Sequence, residues 1–120
     1  MKEYNLGVIQ ANIEAMLLKA CEDHAKAIET FGEAHDIYSD DIVVYERAMA
    51  SVTKRLKAEG EKVGVIKDIA RGETAELKGK MLKSEGQMKR ARMMVMALEE
   101  RINAVKYVGR RLEIAEQNAR

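Results

Sequence analysis

The amino-acid sequence predicts an all-α fold, an elongated three-helix bundle or coiled coil with two long antiparallel C-terminal helices. Three observations carry that expectation. There is no proline and aromatic residues make up only 4% of the chain, while Ala, Glu, Lys, Met, Leu and Arg, which lose least on entering a helix, are abundant. The only β-branched runs, Ile42-Val43-Val44 and Val63-Gly64-Val65-Ile66, lie inside patterns of helical period. From Thr74 to Leu112 a seam recurs at spacings of three and four without losing step: Thr74, Leu77, Met81, Ser84, Met88, Ala91, Val95, Leu98, Ile102, Val105, Gly109 and Leu112. A period of about 3.5 residues keeps one narrow face toward partner helices over about eleven turns, the condition for knobs-into-holes packing. At 120 residues and 47% hydrophobic, the chain is read as a single helical domain with one elongated core.

A first helix is predicted over about 5–33, with Leu6, Ile9, Ile13, Met16, Ala20, Ala27 and Phe31 on one face and His24 on the same stripe. Gly32 to Asp36 weaken helix locally, and Ser39-Asp40-Asp41 supply an N-cap with negative charge at the positive end of the next helix. A boundary is placed there. The second helix, about 40–70, has the seam Ile42, Tyr45, Met49, Val52, Leu56, Val63, Ile66 and Ala70, with Glu59 as a polar intruder. Around Arg71-Gly72-Glu73-Thr74 a glycine is available as a C-cap and Thr74 or Glu73 to open the third helix, about 73–117. Only one residue of register separates the two seams, so a continuous helix with a stutter is the alternative. The break is preferred, because a small domain must fold back to bury its seams.

Gly72, Gly79 and Gly86 are spaced by seven on the face opposite the third seam. Each costs about 1 kcal/mol in a helix interior relative to alanine. They imply either a locally soft helix or a turn placed elsewhere, or else the close approach of another backbone or a ligand.

Net charge is +1, yet residues 1–46 hold ten acidic and three basic side chains (−7) and residues 47–120 hold ten acidic and eighteen basic (+8), which sum to that value. Such a division implies that the second part faces something anionic, or that acidic and basic parts of the same or different chains meet. The densest basic run is Lys78, Lys80, Lys83, Lys89, Arg90 and Arg92, with Lys54, Arg55 and Lys57 as a smaller cluster. These nine are the candidate nucleic-acid-binding residues, through sequence-independent and salt-sensitive phosphate contacts. The alternative is a solvated helix face. No aromatic residue lies between 46 and 106, so the stacking platform expected for single strands is missing from this region.

The third helix also carries signals for assembly. Its flanks mix signs, Lys78, Glu85, Arg92, Glu99, Lys106 and Glu113 on one side and Glu73, Lys80, Gln87, Met94, Arg101 and Val108 on the other. Met93-Met94-Val95-Met96 exceeds one narrow seam. A homo-oligomer is therefore expected, through Met88, Met93, Met94, Val95, Met96, Leu98, Ile102 and Val105.

Catalytic and metal chemistry find no support. Cys21, His24 and His35 match no zinc spacing, Glu-x-x-His pairs are absent, and a structural histidine and a buried thiol are the expected roles. No nucleophile stands beside a base and no phosphate-binding glycine loop is present, so no active site and no cofactor are expected. A lone cysteine fits a reducing, cytoplasmic compartment. No uncharged run is long enough for a signal sequence or membrane span, so no membrane partner is expected.

The acidic first helix, lysine-containing middle helix and long basic final helix, with the stretch Glu76-Leu77-Lys78 through Ala104-Val105-Lys106-Tyr107-Val108-Gly109-Arg110-Arg111, resemble the UvsY-like family of phage recombination mediators. That resemblance implies a ring-forming helical oligomer, in the host cytoplasm if phage-encoded. Such an oligomer holds single-stranded DNA and helps load a recombinase in place of the single-strand binding protein. The resemblance assigns no individual residue a role. A structural or adaptor coiled coil that binds a protein partner is the alternative function.

Overall fold

A computed structural model describes residues 6–119 of the chain. Among them the fold is all-α: α1 spans Leu6–Ala58, α2 spans Val63–Glu73 and α3 spans Ala75–Ala119. The predicted start at Asn5 and the side chain of Leu6 lie outside the described residues. The chain divides into two compact units, Met1–Thr30 with Ala91–Arg120 and Phe31–Arg90.

In the first unit, Gln10 Nε2 donates to Glu116 at 2.8 Å, Ile13 lies against Gly109, and His24 stands 3.3 Å from Glu99. Residue numbers rise along α1 as they fall along α3, so this is an antiparallel pair. Its core is thin, with Ala20, Ala27 and Val105 buried. In the second unit, Asp41 meets Lys80, Tyr45 meets Lys78, Met49 meets Thr74 and Arg55 meets Glu73. That is again antiparallel, here around buried Leu56, Ile66, Ala70 and Met81.

The third-helix seam is present as predicted. Every seam position from Thr74 to Leu112 is buried or half-buried. The boundary expected between Gly32 and Asp41 does not exist, and α1 runs through it without interruption. Phe31, Ala34, Tyr38, Asp41 and Tyr45 keep the three-four step and point inward, whereas Glu33, His35, Asp36 and Asp40 are exposed. A continuous seam outweighs the cost of about 1 kcal/mol for Gly32 and the weak local propensity of Ser and Asp. At the N-terminal end the inward residue is Leu17, and Met16 is 49% exposed.

The fold-back comes at Glu59–Lys62, inside the predicted second helix. Gly60 adopts φ +81. The Gly60 N–H donates to the Lys57 carbonyl at 3.1 Å and the Glu61 N–H to the Leu56 carbonyl at 3.1 Å. This pair of bonds is the Schellman arrangement, which closes a helix through a left-handed residue that only glycine adopts cheaply. Arg55 and Lys57 in the preceding turn complement the helix dipole.

At Gly72 the chain does not turn. The interruption between α2 and α3 is the single residue Thr74, at φ −103 and ψ 9, whose N–H still donates to the Ala70 carbonyl at 3.1 Å. The Thr74 hydroxyl donates to that same carbonyl at 2.7 Å, and such back-bonding bends helices. The one-residue change of register falls at this interruption, and on both sides of it the chain faces α1, through Glu73 to Arg55 before it and Lys78 to Tyr45 after it. No atom lies within 4 Å of a Cβ added at Gly72 or Gly79, and at Gly86 the only neighbour is the Arg90 side chain. Within the described residues, no backbone closes on that face.

Candidate functional site

The candidate basic residues of the second unit fall into two groups. In one, the charge is already engaged. Lys80 Nζ lies 3.6 Å from Oδ1 of Asp41, a carboxylate that is 8% exposed. Lys89 Nζ lies 2.7 Å from Glu85 one turn earlier. The hydrogen bond and the charge of Lys89 hold the Glu85 carboxyl below the usual range, and Glu85 in turn raises Lys89. Arg55 grips Glu73 with one terminal nitrogen at 2.6 and 2.7 Å from the two carboxylate oxygens, and a second carboxylate, Glu59, lies at 3.8 Å. The hydrogen bond to Glu73 raises the guanidinium above its ordinary value. Lys78 sits with Nζ 5.0 Å from the centre of the Tyr45 ring.

In the other group, Lys54, Lys57, Lys83 and Arg90 make no ion pair among the described residues of this unit, and all are exposed. Lys54 and Lys57 border an open cleft with Met49, Ala50 and Thr53. Arg92 belongs to the first unit and is likewise exposed. Part of the acidic and basic division seen in the sequence is thus consumed within the hairpin, between the Asp41 region of α1 and the start of α3.

A cleft of about 500 Å³ is lined by Tyr45, Arg71, Ala75 and Lys78. Neither Tyr45 nor Arg71 was among the candidate residues. Tyr45 reads in sequence as an ordinary seam residue, and its meeting with Lys78 follows only from a turn at 59–62. The aromatic group missing from residues 46–106 is supplied across the hairpin.

The candidate oligomer residues also divide. Val105 is buried, and Val95, Leu98 and Ile102 are half-buried on the α3 seam of the first unit. Met88 is half-buried on the seam of the second. Met93, Met94 and Met96 remain 67%, 57% and 52% exposed. In the same unit Leu18 and Ile28 of α1 are also exposed.

Cys21, expected as a buried thiol, is exposed. His24 bonds Glu99 across the helix pair, while the His35 ring packs 6.1 Å from Phe31 and lies 3.8 Å from Asp36. Among the described residues no three His, Cys, Asp or Glu side chains gather as a metal site, and no helix is long and apolar enough to cross a membrane.

Comparison with protein-family models, with curated proteins and with solved structures finds no match to this chain.

Proposed function

We propose that this chain is a non-enzymatic, oligomeric helical accessory protein that holds single-stranded nucleic acid on a basic helical surface, in the manner of a recombination or replication mediator. The observation that supports this reading is that, of the candidate cations in the second unit, Lys54, Lys57, Lys83 and Arg90 are exposed and meet no carboxylate among the described residues. Positive side chains without internal partners are available to displace counterions from phosphate. Assembly is supported by Met93, Met94 and Met96, whose exposure leaves a run of apolar surface that a second chain would cover.

A second reading, a structural or adaptor hairpin acting through protein contacts, draws on the engaged cations. The pairs Asp41 with Lys80, Glu73 with Arg55 and Glu85 with Lys89 give those basic residues a purely intramolecular role.

Salt-titrated binding to a fluorescent single strand separates the two. Counterion release gives a log-log slope of about −0.7 for each phosphate neutralised on a single strand, so a surface using four cations gives about −3. The nucleic-acid reading expects Lys83→Gln and Arg90→Gln each to flatten that slope, with Lys89→Gln changing it less. Absence of binding at low salt leaves the adaptor reading.

A further inference from the structure

We infer that the cleft bounded by Tyr45, Arg71, Ala75 and Lys78 is a subsite for one nucleotide of a single strand, with the base on the Tyr45 ring and the phosphate between Arg71 and Lys78. The inference rests on the nucleic-acid reading and makes it specific to a place in the fold.

Arg71 at the end of α2 and Ala75 and Lys78 at the start of α3 open onto one cleft across the interruption at Thr74. The small alanine between two long cationic side chains leaves the floor of the cleft open. Tyr45 reaches this cleft because the antiparallel pairing sets it opposite Lys78. The volume of about 500 Å³ falls in the range of about 300–1,000 Å³ typical of sites for small molecules.

The electrostatics favour an anion. The lining carries two cations and no carboxylate. Glu73, two residues from Arg71, is turned onto Arg55 by its two short hydrogen bonds and does not neutralise the cleft. Lys78 rests over the Tyr45 ring, an exposed cation–π contact that is weaker than an ammonium–phosphate pair. A strand arriving with its phosphate draws the ammonium off the ring and frees that face for a base. An aromatic face flanked by cations is the arrangement that holds single strands without regard to sequence.

The test uses the full chain with a labelled oligothymidylate and, as a base-free polyanion, labelled polyphosphate. Tyr45→Leu is expected to weaken oligothymidylate binding by about five- to 150-fold, the range for one stacked base, and to leave polyphosphate binding unchanged. Tyr45→Phe retains the wild-type affinity. Arg71→Gln and Lys78→Gln each flatten the salt slope by about 0.7. A Tyr45→Leu chain of wild-type helicity that binds oligothymidylate as the parent does, or that loses both ligands equally, overturns the stacking role while leaving the nucleic-acid reading intact. Failure of the parent chain to bind oligothymidylate overturns that reading itself. Should Tyr45→Leu not fold, photo-crosslinking of the parent chain to 4-thiothymidine decides: a crosslink in the peptide holding Tyr45 supports the subsite, and crosslinks confined to other peptides overturn it.

Discussion

Asp41 shows how one side chain on a seam constrains a helix pair. It is buried at 8% exposure, its Oδ1 is 3.6 Å from Lys80, and its Oδ2 has no hydrogen-bond partner among the described residues. A buried carboxylate is costly when its partner is removed and often neutral to replace by an apolar residue of similar size. Lys80→Ala is therefore expected to lower stability by about 1–3 kcal/mol, whereas Asp41→Leu leaves the urea midpoint unchanged or raises it. Glu85 and Lys89 give a pH test at the same scale. The Glu85 carboxyl lies below its usual range through the Lys89 hydrogen bond, so its stabilisation is complete above the unfolded value, about 4.3, and is lost as pH falls through the lower folded value. The Lys89 shift is upward, so its stabilisation holds below about 10.4 and is lost as pH rises through the higher folded value. Thermal melts of wild type and Lys89→Gln should differ most between those limits and converge once pH falls below the lowered folded value of Glu85. The difference stays small and shrinks with salt, because the pair is exposed.

Helix ends and interruptions set the next scale, and there glycine and threonine have opposite consequences. Gly60 closes α1 at φ +81, so Gly60→Ala should cost about 1 kcal/mol or more through left-handed strain. Gly32 and Gly79 lie inside helices with nothing within 4 Å of an added Cβ. Gly32→Ala and Gly79→Ala should each raise stability by about 0.5–1 kcal/mol, read from denaturant midpoints with unchanged slope. The long seam of α3 was legible from spacing alone, since no competing pattern disturbed it. The continuity of α1 was not: Gly32, Ser39 and Asp40 carry the local marks of a boundary, and the residues that override them, Ala34 and Tyr38, are individually unremarkable seam members. The Gly60 stop did have a local signal, a glycine after the basic turn Lys54-Arg55-Lys57. That signal is masked because Val63, Ile66 and Ala70 continue a helical period beyond it.

For the whole molecule, the balance that matters is between apolar surface used within the chain and apolar surface left over. Met93, Met94 and Met96 are more than half exposed, so replacing all three by Gln should reduce the mass measured by light scattering toward the monomer without loss of helicity. If the parent chain is already monomeric, the expectation of assembly is wrong and these methionines serve another contact. The seam from Thr74 to Leu112 and the helical composition required no knowledge of the fold, because heptad spacing and propensity are local properties of the chain. Which residues face one another is not local. The left-handed turn at Gly60 and the one-residue interruption at Thr74 set the antiparallel register, and only that register places Lys80 against Asp41 and Tyr45 beside Arg71 and Lys78. Pairing across a hairpin depends on where the chain reverses, and moving the reversal by twelve residues, from Gly72 to Gly60, exchanges every cross-helix partner.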